Sequence, residues 1–319
     1  MTKPLKRNVS YMRISITDLC NMRCQYCMPA EGVTKRTHGE LLSYEAIEKI
    51  VKAAVPLGIR KIRITGGEPL VRRGISDLVE KISRIHGIEE IAMTTNGTLL
   101  KQNARLLKEA GLKRFNISID SLRQERYEAI TRGGAVNRVL EGIEEVIALG
   151  MTPVKLNAVM IGGMNDDEAA DFAALTVNRP IDVRFIELMP VGEASQWAER
   201  RFVSNEVIKK RLGLMVAEEE EAGSPAVYFR IPGAVGRVGF INPISHHFCG
   251  SCNRIRLTSD GRLKPCLHSD EEINLLPVLS ESQESLTRLI EKAILLKPEK
   301  HNLEQHQLCT NRSMCQIGG

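Results

Sequence analysis

Short β-type runs alternate with helical stretches along the first part of the chain, and the two faces of those runs limit the fold more than any other feature. Strand-type runs lie at Tyr11 to Thr17, Lys61 to Thr65, Ile88 to Thr95, Arg114 to Asp120, Val154 to Met160 and Ile181 to Leu188. Between the first two, Ser43 reads as the cap of a helix carrying Ile47, Ile50, Val51, Ala54 and Val55 on one face, ended by Pro56 and Gly58. Further helical patterns fall near Ile75 to Ile85, Leu99 to Ala110, Val136 to Leu149 and Asp166 to Thr176. Strands separated by helices imply parallel pairing through right-handed crossovers.

A parallel sheet covered by helices on both faces reads as continuous apolar runs. These strands alternate instead. Arg13, Ser15 and Thr17 oppose Ile14 and Ile16; Lys61, Arg63 and Thr65 oppose Ile62 and Ile64; Asn116, Ser118 and Asp120 oppose Phe115, Ile117 and Ile119. Lys155 and Asn157 oppose Val154, Leu156 and Ala158, and the last run carries Asp182 and Arg184. Helices would cover the apolar face and leave a polar, cationic lumen on the concave side of a curved sheet. A closed eight-stranded barrel fills its interior with apolar layers, so the pattern suggests an incomplete barrel around a ligand. An antiparallel sheet with one wet face would also alternate, but helices between nearly all strands argue against it.

The βα rhythm breaks after Pro190. A helix near Asn205 to Leu212 follows Ser204, and the acidic run Glu218 to Glu221 reads as a solvated loop. Two β-type stretches, Ala226 to Ile231 and Ala234 to Ile241, flank a turn at Pro232 and Gly233, and a last amphipathic helix spans Leu286 to Leu296. The expected division is therefore residues 1–190 and a smaller region, 191–319, capping the open side of the barrel.

With 319 residues the chain can bury a core without disulfides, so stability does not explain its eight cysteines. No run approaches the ~20 apolar residues of a membrane span, and Met1 to Ser10 lack a signal-type apolar segment. A cytoplasmic protein with thiol or metal-bound cysteines is the expectation. The net charge of +5 favours an anionic partner if it is focused, while an aromatic content of 4% argues against a stacking surface for nucleic acid.

Cys20, Cys24 and Cys27 follow the first strand with C-x3-C-x2-C spacing. Four cysteines normally hold a 4Fe-4S cluster, so three would leave one iron open to a small ligand. Zinc completed by a distant His is the alternative. A second triplet, Cys249, Cys252 and Cys266, has His246, His247 and His268 near it, and here spacing leaves zinc and cluster equally open. Arg254 and Arg256 project from one side of a strand beside it, as a phosphate clamp would. Gly66-Gly67-Glu68-Pro69 ends the second strand, where glycines admit close backbone approach and Glu68 could accept from an amine. Cys309 and Cys315 share no such spacing and read as free thiols. Trp197 reads as packing, and the terminal glycines as frayed.

Taken together, these motifs closely resemble those of the radical S-adenosylmethionine (SAM) enzymes. Asn253-Arg254-Ile255-Arg256 after the second triplet and the terminal Gly318-Gly319 narrow the resemblance to the GTP 3',8-cyclases of molybdenum cofactor biosynthesis. The resemblance covers nearly the whole chain. It implies an α/β fold, an incomplete (β/α)6 radical-SAM-type barrel, with a smaller C-terminal β-containing segment carrying a second cluster. It implies that Cys20, Cys24 and Cys27 hold a 4Fe-4S cluster whose open iron chelates the amine and carboxylate of SAM. Tyr26, Gly67, Ser118 and Met189 match SAM-contacting positions. Arg13, Lys61, Arg63, Thr94, Lys155, Arg184, Arg254, Ile255 and Arg256 match GTP-contacting ones or their helpers. Cys249, Cys252 and Cys266 match ligands of a second 4Fe-4S cluster, and Arg13, Arg254, Arg256, Gly318 and Gly319 match positions that assist catalysis. The implied reaction removes the 3' hydrogen of GTP and joins C3' to guanine C8, giving (8S)-3',8-cyclo-7,8-dihydroguanosine 5'-triphosphate. The expected partners are GTP, an unidentified electron donor, a downstream pterin synthase and a second copy in a homodimer, with no membrane or nucleic acid.

Overall fold

The computed structural model describes residues 8–34, 36–191, 194–219, 223–246, 248–300 and 312–318. Six strands, β1 (Tyr11–Ser15), β2 (Lys61–Thr65), β3 (Glu90–Thr95), β4 (Arg114–Ser118), β5 (Val154–Met160) and β6 (Ile181–Glu187), pair side by side in parallel. The helices α1 (Tyr44–Ala54), α2 (Ile75–Ser83), α3 (Leu100–Glu109), α4 (Gln124–Thr131), α5 (Val136–Ala148) and α6 (Ala169–Ala174) connect them. Ser43 caps α1 by accepting from Ala46 N, and Gly58 follows at φ +99°, a left-handed conformation that favours glycine.

Alternation gives the sheet two different faces. Met12, Ile14, Ile62, Ile64, Met93, Phe115, Ile117, Leu156 and Phe185 are fully buried in one hydrophobic core with the helices. Each such side chain contributes about 1.5–3 kcal/mol by leaving water. The opposite face carries the basic and amide side chains.

Beyond β6 the chain forms α7 (Ser195–Arg200), α8 (Asn205–Leu212), β7 (Val216–Ala217), β8 (Ala226–Arg230), β9 (Val238–Ile241), β10 (Arg254–Leu257), β11 (Arg262–Lys264), β12 (Ile273–Asn274) and α9 (Gln283–Leu295). These strands extend the same sheet at both of its edges: β9 pairs parallel with β6, and β10 pairs parallel with β1. The result is one twelve-stranded sheet in the order β12-β11-β10-β1-β2-β3-β4-β5-β6-β9-β8-β7. Its end strands β12 and β7 do not meet, so the barrel is incomplete as expected. α9 is strapped to α1, with Thr287 Oγ1 donating to Ala53 O at 3.0 Å and Lys49 Nζ to Leu279 O at 2.7 Å.

Three local readings change. α4 was not legible, because its first turn is polar and only Tyr127, Ile130 and Thr131 are buried. The β-type stretch from Ala234 becomes a strand only at Val238. The acidic run is not simply solvated: Glu218 accepts from Arg230 Nε at 2.6 Å across β7 and β8, whereas Glu220 and Glu221 lie outside the described residues. Among the described residues no helix is long and apolar enough to cross a membrane.

Candidate active site

Parallel register turns the alternation of single strands into rows across the sheet. Arg13 on β1 stands opposite Arg256 on β10 and Arg63 on β2, and Tyr11 opposite Arg254 and Lys61. Neighbouring strands are ~4.8 Å apart, and like charges directly opposite each other are destabilising. Three guanidinium-bearing residues in adjacent register therefore form a strained basic row. They border a cavity of ≈ 290 Å³ with Thr94, Arg114, Lys155, Asn157, Arg184 and Lys297 in its wall. Among the described residues Glu90 is the single acidic one in that wall, and it is engaged by Arg114 and Lys61.

The cavity's electrostatics follow from burial and crowding. Desolvation, then Arg256 and Arg63, hold Arg13 well below the usual guanidinium range. Desolvation and nearby arginines bring Arg63 and Arg256 down to about 10. Arg63 and Arg256 remain cations at neutral pH. Several polar atoms in or beside this wall are buried with no hydrogen-bond partner among the described residues: Arg63 Nε, Arg184 Nε, Thr94 Oγ1, Asn116 Nδ2 and Asn157 Oδ1. Such orphans are costly, and together with the basic row they define a preformed receptor for a polyanion with polar groups.

The first cysteine triplet lies in the loop beyond the C-terminal end of β1. Its backbone is clipped to the Gly-Gly turn after β2: Gly67 N donates to Thr17 O at 2.7 Å, and Glu68 N to Leu19 O at 2.8 Å. A Cβ on Gly67 would stand 2.3 Å from Leu19 O, so only glycine permits this approach. Glu68 is fully buried and accepts from Leu70 N, Thr95 Oγ1 and Asn96 N at 2.7–3.0 Å. It therefore ties the turn to β3. Burial raises Glu68 to about 7, and Asp120 to about 6. Tyr26 donates to Asp120 Oδ2 at 2.7 Å, fixing the far side of the loop. Burial pushes the Cys20 thiol up to about 11 and the Cys24 thiol well up. For Cys27 the larger cause is a hydrogen bond with the Cys315 thiol, followed by burial.

Cys249, Cys252 and Cys266 line the opposite part of the cavity with Arg254, Lys297 and His268. Burial raises the Cys252 thiol, but Lys297 and Arg254 outweigh it and its pKa falls below the usual range. Among the described residues no three His, Cys, Asp or Glu side chains converge as they would on a single ion. A closed tetrahedral zinc site needs such convergence, whereas a cubane cluster spreads its ligands. The three thiols of the loop thus fit an iron-sulfur cluster with one iron left open better than a closed zinc site.

The tail enters the barrel, which overturns the frayed reading. Arg256 Nη1 donates to Gly318 O at 2.7 Å and to Ile317 O at 3.2 Å. Gly318 has φ +70°, and a Cβ there would come within 2.7 Å of Thr65 Cγ2. Arg312 anchors the other end, donating to Asp260 at 3.0 and 3.2 Å and to Glu272 at 2.6 and 2.7 Å. Gly319, Cys309 and His247 lie outside the described residues.

Most residues expected at the site gather there: Arg13, Lys61, Arg63, Thr94, Lys155, Arg184, Met189, Arg254 and Arg256 all line the cavity. Lys61 sits at its exposed rim. Ile255 does not present its side chain; it is 1% exposed in the hydrophobic core, because alternation turns it away from Arg254 and Arg256, leaving only its main chain at the wall. Ser118 occupies the lumen face of β4, opposite Asn157, and Gly67 faces the cysteine loop. Alternation had put Asn157 on the lumen face, where it lines the cavity, whereas sequence reasoning missed Arg114 and Lys297 as wall residues. It also missed the burial of Cys315, a free thiol as expected but 1% exposed.

A parallel, incomplete barrel with a three-cysteine loop at the strand C-termini defines a class, and the family model of the Radical SAM superfamily matches residues 14–176. That for Molybdenum Cofactor Synthesis C matches residues 181–303. The chain is 62% identical over 315 residues to the GTP 3',8-cyclase of Alkaliphilus oremlandii, covering 98% of each, and 60% identical to that of Alkaliphilus metalliredigens, covering all of both. It therefore belongs to the GTP 3',8-cyclase family of the Radical SAM superfamily. In architecture it is similar to Streptococcus suis SuiB bound to S-adenosylmethionine, with a TM-score of 0.62 at 15% identity, covering 96% of this chain and 77% of that one.

Proposed function

We propose that the chain converts GTP to (8S)-3',8-cyclo-7,8-dihydroguanosine 5'-triphosphate, the first step of molybdenum cofactor biosynthesis. The observation that carries this reading is the register row Arg256, Arg13 and Arg63, set in a cavity with orphaned polar atoms and lined by Cys249, Cys252 and Cys266. Arginine meets phosphate oxygens bidentately, and a buried row of them is relieved only when an anion of high charge arrives. The triphosphate of GTP matches that requirement.

Cys20, Cys24 and Cys27 would hold the 4Fe-4S cluster common to the superfamily. When bound and reduced, the cluster with SAM supplies a 5'-deoxyadenosyl radical able to take the 3' hydrogen of GTP. Tyr26, Gly67, Ser118 and Met189 shape the SAM side. Cys249, Cys252 and Cys266 would hold a second cluster whose open iron receives the guanine. Lys155, Arg184, Thr94 and Asn157 supply donors and an acceptor to the nucleotide, while Arg13, Arg63, Arg254 and Arg256 fix its phosphates. Closure of C3' on C8 then depends on alignment and on exclusion of water, the service of a cavity walled on both sides. Arg256 has a further task, since it also holds the main chain at Ile317 and Gly318.

The reading divides the chain at residue 190, places the protein in the cytoplasm as a homodimer, and calls for a protein electron donor and a downstream pterin synthase. The test is anaerobic incubation of reconstituted full-length protein with SAM, dithionite and GTP. The expected result is 5'-deoxyadenosine release dependent on GTP, with about eight irons per chain. SAM cleavage that proceeds equally without GTP, and no saturable GTP binding, would overturn the substrate assignment.

A further inference from the structure

Asn96 stands at the C-terminal end of β3 with its side-chain amide turned to the cysteine loop. Its Nδ2 lies 2.7 Å from Asn21 Oδ1 and 3.8 Å from Cys20 Sγ, within reach of a sulfur acceptor. An amide carries two N–H donors, one for each partner. Which end of the amide faces the sulfur is fixed by a main-chain group: Thr98 N can only donate, and it meets Asn96 Oδ1 at 3.1 Å. Thr98 Oγ1 donates to the same oxygen at 2.7 Å and accepts from Asn21 Nδ2 at 2.9 Å, closing a ring of three side chains. The backbone of Asn96 is indexed to the same loop. Its N–H donates to Glu68 Oε2 at 2.7 Å, Thr95 Oγ1 donates to Glu68 Oε1 at 2.7 Å, and Glu68 N donates to Leu19 O, next to Cys20. Met22 N adds a second donor to Cys20 Sγ at 3.4 Å. A turn asparagine just before a helix usually serves through its oxygen alone. Aspartate would serve that purpose equally, with the advantage of negative charge near the start of α3. Nδ2 is what asparagine adds, and it goes to Asn21 and Cys20.

We infer that Asn96 is a positioning residue that holds an N–H on the Cys20 sulfur of the N-terminal cluster and raises the potential at which that cluster accepts its electron. The inference rests on Cys20, Cys24 and Cys27 being the cluster ligands. Ligand sulfurs gain negative charge on reduction, so a donor aimed at one of them binds more strongly in the reduced state than in the oxidised one. Outer partners of this kind tune a metal centre without touching the metal. The step is the transfer of one electron to the oxidised cluster from a low-potential donor, dithionite in the test. The donor loses that electron, and no bond to a protein atom forms or breaks.

The test is an anaerobic redox titration, followed by electron paramagnetic resonance, of reconstituted full-length protein as wild type, Asn96→Ala and Asn96→Asp. The signal read is the one that SAM addition alters, which separates the N-terminal cluster from a second one. Iron content checks the underlying assignment separately. Cys20→Ala should lose iron and the SAM-responsive signal; if both persist, the cysteine-loop assignment is rejected and the inference with it. Both Asn96 variants should keep the iron content of wild type. In Asn96→Ala the equilibrium constant for one-electron reduction should fall about tenfold, because a hydrogen bond to a charged group is lost chiefly from the reduced state. For one electron that is about 59 mV. Asn96→Asp keeps the acceptor that Thr98 requires and places an oxygen where the N–H was, so its potential should fall further. A reduction constant within about twofold of wild type in both variants, or a higher one, would overturn the inference and leave Asn96 as a turn residue. Loss of iron from both would do the same, by making Asn96 part of the loop's fold.

Discussion

Replacing Arg63 by Met should make the nucleotide-free protein more stable and its grip on GTP weaker. Arg63 is the outer member of the basic row; its Nε has no partner among the described residues, and its guanidinium lies over the Tyr11 ring at 5.3 Å. Burial, then its arginine neighbours, bring its pKa down to about 10, some 2.5 units below an ordinary guanidinium. At 1.36 kcal/mol per pKa unit, that is about 3 kcal/mol against holding the charge in the folded state. Arg63 is half-buried and faces a cavity that admits water, so about 1–2 kcal/mol is a fairer figure after screening. Loss of the ring contact takes back about 0.5–1 kcal/mol, and Met keeps the stem packed. The net gain, up to about 1.5 kcal/mol, should raise the melting temperature of the nucleotide-free form by a few degrees. In the complex the same change deletes charge-assisted bonds of about 1.5–3 kcal/mol, a ~10- to 150-fold loss of GTP affinity by calorimetry. A variant that melts below wild type without nucleotide, or binds GTP within twofold of it, would refute the argument that the row is held against its own repulsion for an anion.

Arg312→Met removes the charge that Asp260 and Glu272 share. Breaking a part-buried network of this kind costs about 1–3 kcal/mol, less than a fully buried one, and the loss should fall on tail docking. Iodoacetamide labelling of Cys315 in the metal-free protein should then accelerate ~10-fold. Glu68 supplies a pH test. Its folded pKa of about 7 exceeds the 4.5 of an ordinary glutamate, so the stability it contributes is full below about pH 4.5 and is lost as pH rises through 7. The melting temperature of the wild type should therefore fall more steeply than that of Glu68→Gln between pH 5 and 8; parallel profiles would show that Glu68 is ionised throughout.

The barrel and most of its lumen were legible because they depend on periods of two and of 3.6, which any short window of sequence carries. Arg13 and Arg63 could be assigned to the lumen from their own strands. That they stand shoulder to shoulder with Arg256 could not, since that fact belongs to register between strands some 240 residues apart. Ile255 shows the opposite case. Alternation alone would have turned its side chain into the core, but a motif was carried over as a block and took Ile255 with its two arginine neighbours. The two cysteine triplets were visible by local spacing. The burial of Cys315 was not, because the tail that carries it is placed by Arg312 on Asp260 and Glu272 and by Arg256 on Ile317 and Gly318, partners distant from it in sequence.

The position of β10 beside β1 also sets when the protein can begin to work. One edge of β1 stays unpaired during synthesis until residues 254–257, some 240 residues further on, emerge from the ribosome. A nascent or truncated chain could fold β1 to β6 with their helices and still lack one side of the arginine row and the tail that Arg256 holds. Assembly order thus acts as a safeguard. The cysteine loop can be formed early, but the walled chamber that would confine a radical closes only when synthesis is nearly complete.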